Sequence, residues 1–264
     1  MTAPNRNSTR EPRIVTTVAE WRALRAEYRA AGRSVGFVPT MGALHAGHAS
    51  LFQAAQREND LVLVSVFVNP TQFDEKQDFE NYPRTRERDA KAMRAAGVDV
   101  AFVPTAAEMY PNGMAYAVTE NEFSRQLCGA HRPGHFSGML TIVAKLLQIA
   151  DAERAYFGEK DYQQLLLVRG MCAAFFLRTK IIGCPTVREA DGLALSSRNA
   201  RLLPAERALA PRFYKTLTTA ATAAAARAEL ETAGFVVDYV EDREGRRFGA
   251  VRLGQTRLID NVTR

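Results

Sequence analysis

Residues 61–68 read LVLVSVFV, and nearly every position is apolar. A strand with one wet face alternates apolar and polar side chains. A valine-rich run this continuous is covered on both faces, which places it inside a parallel sheet with helices laid on each side. The neighbouring segments should then alternate between helix and strand, and they do. Residues 18–32 carry helical periodicity and stop at a glycine, and residues 34–39 make a short apolar strand. Residues 48–59 read as a helix, 84–97 as a helix ending in glycine, and 98–104 as a strand. The fold class is therefore α/β, a doubly wound (Rossmann-like) parallel sheet. Further along, 138–150 is helical, 154–161 is a strand running into a polar turn, 162–176 is helical and 180–189 is another strand. The texture then changes. Residues 204–234 form an alanine-rich helical stretch, and two short strands are expected near 235–241 and 256–261. The division that follows is a disordered tail over 1–12, a Rossmann-like domain over 13–186, and a smaller α+β lid domain over 187–264.

Composition narrows the class of protein. The 264 residues are 47% hydrophobic and 24% charged, as in a soluble globular protein. No apolar run approaches the length that crosses a bilayer, and the first residues lack the apolar core of a secretory signal, so a cytoplasmic protein is expected. Cys128, Cys172 and Cys184 match no zinc spacing and no disulfide framework and are expected to be reduced. The net charge is +6, but the arginines are dispersed among acids and form no basic tract with interleaved aromatics. Nucleic acid is not the expected partner, nor is a membrane.

A doubly wound sheet binds ligands outside the carboxyl ends of its strands. Four polar segments fall at or just past such ends: PTMGALHAGH, NPTQF, FGEKD and LALSSRN. In the first, Gly42 and Gly47 allow close approach of a ligand, and a helix starting near Gly47 would aim free N–H groups at it. His45 and His48 could donate to phosphate oxygens, bind a zinc ion with a further ligand, or simply pack. FGEKD supplies Lys160 and Asp161, which could equally be a solvated turn. LSSRN sets Ser196 and Ser197 beside Arg198, either a phosphate clamp or an ordinary helix cap. Gln72 and Gln164 are neutral amides able to bind donors and acceptors of a small polar substrate.

Taken together, these segments resemble the pantoate–β-alanine ligase family of the HxGH nucleotidyltransferase superfamily. The matching stretches are PTMGALHAGH, VSVFVNPTQF, NYPRTRERD, HRPGHFSGMLTIVAKLL, FGEKDYQQLLLVR and VREADGLALSSRN, which run almost continuously from about residue 35 to 203. HxGH alone marks only the superfamily; joined to NPTQF, GEKDxQQ and DGLALSSRN it is specific. The resemblance implies that ATP and (R)-pantoate give bound pantoyl adenylate and pyrophosphate, with Mg²⁺, and that β-alanine then gives pantothenate and AMP. It implies an ATP site made by Met41, Gly42, Ala43, Leu44, His45, Ala46, Gly47 and His48, with His48 the proton donor. Gly158, Glu159, Lys160 and Asp161 would hold ribose and phosphate, and Val187 the adenine. Leu195, Ser196, Ser197 and Arg198 would close over the phosphates. Gln72 and Gln164 would hold pantoate with Pro39, Thr40 and Met41, and Gln72 also lies on the β-alanine path. A homodimer through the N-terminal domain is implied too.

No sequence-local carboxylate cluster suggests Mg²⁺ ligands, and Asp89, although inside NYPRTRERD, receives no role. Residues 238–261 look compressed relative to the family, which bears on lid closure more than on the chemistry. Rival readings are another nucleotidyltransferase of the same fold, a nucleic-acid-binding module, and a family member that only binds ligand. NPTQF and the paired glutamines argue against the first, because a phosphorylated substrate would recruit more cations there.

Overall fold

The computed structural model describes residues 11–73 and 76–264. The tail expected over 1–12 lies almost wholly outside them. The chain then runs β1 (Arg13–Val15), α1 (Val18–Ala30), β2 (Val35–Thr40), α2 (Ala46–Glu58), β3 (Leu61–Val66), α3 (Lys76–Glu80), α4 (Arg86–Ala95) and β4 (Val100–Phe102). It continues through α5 (Ala106–Met109), α6 (Cys128–His131), α7 (His135–Ala150), β5 (Arg154–Gly158), α8 (Tyr162–Ala174) and β6 (Lys180–Cys184).

These six strands form one parallel sheet in the order β1-β4-β3-β2-β5-β6. From β2 the chain steps through β3 and β4 to one side, and it later places β5 and β6 on the other. The order reverses between β2 and β5, and the carboxyl ends of those strands open the crevice that such a reversal creates. The central strands are as buried as their composition requires: Val35, Val38, Val62 and Val64 have no exposed surface. The edge strand β1, absent from the sequence reading, is only three residues long and has no period to detect; it is held by parallel pairing to β4.

Local chemistry sets where the elements stop. β3 ends at Val66, two residues earlier than expected, and Pro70 opens a 3-10 turn over Pro70–Gln72. β6 ends at Cys184, five residues short of the expected strand, because Pro185 has no N–H to continue the ladder. α7 begins at His135, three residues early, after Gly134 turns the chain with a φ of +82°.

The C-terminal region departs most from expectation. The single helical stretch over 204–234 is three helices, α9 (Pro204–Leu209), α10 (Pro211–Thr219) and α11 (Ala223–Thr232). Pro211 lacks the donor that would continue α9, and Thr222 restarts the chain by accepting the Ala225 N–H at 3.1 Å. Instead of two short strands there are three of eight residues: β7 (Val236–Arg243), β8 (Arg246–Leu253) and β9 (Thr256–Thr263), paired antiparallel in that order. The arginines of β8 disguised it. Arg247 is fully buried, with its guanidinium satisfied by Asp242 and by the carbonyls of Leu217, Ala220 and Ala221. Glu244 and Gly245, both at positive φ, make the two-residue β7–β8 turn.

The small sheet has two dry faces. Val237, Val240, Val251 and Leu258 pack with Phe213, Leu217 and Leu230 of the helices. Tyr239, Phe248 and Ala250 instead join the main core with Leu165, Val168 and Phe136. Cys128 sits at this junction, its Sγ 3.0 Å from the Tyr239 hydroxyl. All three cysteines are buried thiols, and burial pushes that of Cys172 up to about 11.

Candidate active site

The crevice at the carboxyl ends of β2 and β5 deepens into a cavity of about 870 Å³, roofed by the segment that follows β6 and by the small sheet. Its first wall is the histidine segment. After β2, Gly42 and Ala43 take positive φ angles of 79° and 51° and turn the chain back toward the sheet. Asp89, on α4 and 4% exposed, fixes that turn: its carboxylate accepts the N–H of Ala43 at 3.1 Å and of Leu44 at 2.8 Å, and the Thr85 hydroxyl at 3.0 Å. His45 is thereby delivered as the N-cap of α2. Its Nδ1 accepts the Gly47 N–H at 3.1 Å, while its own backbone N–H donates to His48 Nδ1 at 3.3 Å.

Since both Nδ1 atoms are acceptors, both rings carry their proton on Nε2. The ring centroids are 4.2 Å apart. Burial, then the Lys160 charge, brings His45 down to about 4, and burial, then His45, brings His48 down to about 3. The pair is neutral near pH 7: two N–H donors beside a helix N-terminus, suited to an anion. Among the described residues no group of three or more His, Cys, Asp or Glu could hold a metal ion. His131 stacks on Tyr239, and His135 bonds the Gln72 carbonyl through Nδ1 at 2.7 Å, so neither completes a zinc site with the pair.

The opposite wall is the single 3-10 turn Glu159–Asp161 that joins β5 to α8 and presents Lys160, whose Nζ lies 3.7 Å from Asp161 Oδ1. Beyond β6 the chain crosses the cavity. Val187 accepts the Leu195 N–H at 3.0 Å, which draws Ser196, Ser197 and Arg198 over the mouth. Arg198 and Arg201 share the carboxylate of Asp78 at 3.0 and 2.6 Å. Burial alone would raise that carboxyl; the two guanidinium groups hold it below its usual range.

The floor is set by the turn after β3. Asn69, 1% exposed, donates to Gln72 Oε1 at 3.1 Å and to the Gly138 carbonyl at 3.2 Å, so the Gln72 amide is fixed from behind. Gln72 Nε2 lies 3.3 Å from Met41 Sδ. Gln164, on the first turn of α8, lines the same space.

Of the residues expected from the sequence, Pro39, Thr40, Met41, His45, Gly47, His48, Gln72, Gly158, Lys160, Asp161, Gln164, Val187, Leu195, Ser196, Ser197 and Arg198 line this one cavity. Gly42, Ala43, Leu44, Ala46 and Glu159 are not part of its lining. Leu44 is 3% exposed and packs in the core with Leu51 and Phe52, while the N–H groups of Ala43 and Leu44 are taken by Asp89. The Glu159 carbonyl is taken by Asn261. Sequence reasoning missed Asn69, Asp78, Tyr82, Arg132, His135 and Asn261, all of which line the cavity. Asn69, Tyr82, Arg132 and His135 stood in the matching motifs and gave a signal there; Asp78 and Asn261 act singly, and only the folded chain reveals their place.

A crevice at the reversal of a parallel sheet, walled by a neutral histidine pair, a lysine turn and an arginine clamp, defines a nucleotide-utilising α/β enzyme. A family model described as pantoate-beta-alanine ligase matches residues 13–263. The pantothenate synthetase of Bdellovibrio bacteriovorus is 51% identical over 249 residues, covering 94% of this chain and 98% of that protein. That of Legionella pneumophila strain Lens is 53% identical over 228 residues, covering 86% and 90%. Among solved structures, a pantoate-beta-alanine ligase from Francisella tularensis, complexed with beta-gamma ATP and beta-alanine, superposes with a TM-score of 0.91 at 40% identity, covering 96% of this chain and 97% of that one. Pantothenate synthetase from Thermus thermophilus gives 0.87 at 43% identity, covering 95% and 99%. The chain belongs to the pantoate–β-alanine ligase family. Its activity is the ATP-dependent condensation of pantoate with β-alanine.

Proposed function

We propose that the chain performs this condensation in two steps through a pantoyl adenylate. A pantoate carboxylate oxygen attacks the α-phosphorus of ATP, and the bond to the bridging oxygen of the β-phosphate breaks, releasing pyrophosphate. The amine of β-alanine then attacks the acyl carbon and gives up a proton, and AMP leaves with the electron pair on its phosphate oxygen. The observation that carries this reading is the convergence of His45, His48, Lys160, Ser196, Ser197 and Arg198 with Gln72 and Gln164 on one cavity.

Negative charge grows on the leaving pyrophosphate in the first step, so fixed donors and cations aimed there lower the barrier. His45 and His48 offer neutral N–H donors, with His48 the proton donor, and Lys160 and Arg198 supply charge. Ser196 and Ser197 close over the phosphates beside Leu195. Val187 meets the adenine; Met41, Gly47, Gly158 and Asp161 complete the nucleotide wall. Gln72 and Gln164 orient pantoate against Pro39, Thr40 and Met41, and Gln72 guides β-alanine. Most of the acceleration then comes from positioning.

The residues present make no protein cage for Mg²⁺ among those described. An ion arriving with ATP would be held by its phosphates and water, and no step here runs through it. Residues 13–186 act as the nucleotide- and pantoate-binding domain and residues 187–264 as the lid. The family resemblance supports a homodimer joined through the larger domain and a cytoplasmic setting; no helix among the described residues is long and apolar enough to cross a membrane.

The test is isotope exchange. Labelled pyrophosphate should enter ATP when pantoate alone is added, and AMP should accumulate only when β-alanine is added too. A folded, Mg²⁺-supplied sample with neither activity would overturn the proposal.

A further inference from the structure

Asp260 and Asn261 are consecutive on β9, so their side chains leave the strand on opposite faces. The Asp260 carboxylate takes two bonds from Arg188, at 2.6 and 2.9 Å. Arg188 follows Val187 directly, and its guanidinium lies 3.7 Å over the Tyr214 ring. Asn261 turns the other way, toward the large sheet. Its Nδ2 donates to the Glu159 carbonyl at 2.9 Å and to the Lys160 carbonyl at 3.0 Å, and its Oδ1 accepts from Arg246. Arginine can only donate, so the amide oxygen must face Arg246 and the two N–H bonds must face the carbonyls. Arg246 is itself seated 3.8 Å over the ring of Tyr162, the first residue of α8. Asn261 is 4% exposed, and its amide has one satisfied orientation.

The turn it holds lacks a local anchor. Gly158, at its start, has no side chain to cap it, and Asp161, at its end, makes no side-chain cap bond. Lys160 extends from this turn on four flexible carbons, so a small tilt of the backbone displaces the ammonium by a larger amount.

We propose that Asn261 is a positioning residue for Lys160: it fixes the Glu159–Asp161 turn so that the ammonium meets the polyphosphate of ATP. The small sheet is then a structural part of the nucleotide site as well as a cover. This rests on the assignment of Lys160 to the phosphates made above.

The full chain can test it. Asn261→Ala removes both donors without adding charge, and Asn261→Asp sets a carboxylate oxygen against two carbonyls. ATP affinity by calorimetry and pantoate-dependent pyrophosphate exchange would be measured with Lys160 intact and in a Lys160→Ala background. With Lys160 present, Asn261→Ala should weaken ATP binding and lower kcat/KM in exchange by about tenfold, and Asn261→Asp by more; with Lys160→Ala, either change should matter by less than about twofold. Equal factors in the two backgrounds would show a merely structural role and overturn the proposal, as would an unchanged Asn261→Ala enzyme. If Asn261→Ala does not fold, Arg246→Met replaces it: freeing the amide to turn over should lower the same two quantities, again only with Lys160 present. If the unsubstituted chain shows no exchange, or Lys160→Ala leaves it unaltered, the functional reading fails instead.

Discussion

The carboxylate of Asp89 holds the backbone N–H of Leu44 at 2.8 Å, one residue before the histidine that caps α2. With the second bond, to Ala43, it keeps a positive-φ turn in place against the sheet. Asp89→Ala would leave two backbone donors and a hydroxyl without their acceptor, at a cost of about 1–3 kcal/mol for a buried group left unsatisfied. Urea unfolding should show that loss. The exchange rate should fall by at least about tenfold, since displacing catalytic groups by even an ångström is expensive. Asp89→Asn, which keeps one acceptor oxygen, should fall between. Parental rates in both would mean that the turn holds itself.

On the proposed roles of His48 and Lys160, His48→Ala and Lys160→Ala each remove one donor to the developing charge. Each should lower the exchange rate by a factor of about 10² or more, the scale for a lost transition-state donor. Single-turnover kinetics would check this, and a variant with an undiminished rate would remove that residue from the mechanism.

Gly138 lies where α7 meets the turn that carries Gln72. A Cβ there would overlap the Thr71 carbonyl and come within 2.9 Å of the Gln72 backbone nitrogen. Gly138→Ala must therefore shift that turn, at about 1–3 kcal/mol of overpacking strain. Because Gln72 moves and Lys160 does not, the KM for pantoate should rise well before that for ATP. Steady-state titration of each substrate would separate them; equal effects on both would contradict the assignment of Gln72 to pantoate.

The histidine pair also predicts how stability depends on pH. In the unfolded chain both imidazoles titrate near 6.5, whereas in the fold burial, then the neighbouring charges, brings them to about 4 and about 3. Between those limits the unfolded chain binds more protons than the native one, so stability rises with pH there and is lost as pH falls from about 6.5 toward 4. Each histidine contributes at most about 1.4 kcal/mol per pH unit over that window. Denaturant midpoints at a series of pH values should show the slope, and His45→Gln should make it shallower.

Much of this site was legible because its segments are recognisable polar motifs, those after β2, β3 and β5 at strand ends and that at 195–198 well beyond the end of β6. The apolar run over residues 61–68 announced the parallel sheet, and the motifs at 39–48, 158–161 and 195–198 announced its crevice. The gaps have physical causes. β8 was hidden because Arg247 reads as solvent-exposed and is in fact buried on Asp242 and three carbonyls. Leu44 was expected to line the cavity because it lies within a motif, yet the turn at Gly42 and Ala43 sends its side chain into the core. Asp89, although inside a motif, and Asn261 act on backbone groups that are distant in sequence, 45 and 102 residues away, and nothing local shows which groups such residues hold.

The buried thiols make the molecule its own stopwatch. Cys128 meets Tyr239 of the small sheet and lines the cavity, whereas Cys172 on α8 and Cys184 at the end of β6 do not line it. A maleimide or disulfide reagent can reach a buried sulfur only when the surrounding structure opens. Tagging at Cys128 faster than at the other two would time local opening on the cavity side, and equal rates would time unfolding of the whole. Run with and without ATP, the comparison separates access through the cavity, which a bound nucleotide blocks at Cys128, from opening of the whole fold, with no label added to the protein beforehand.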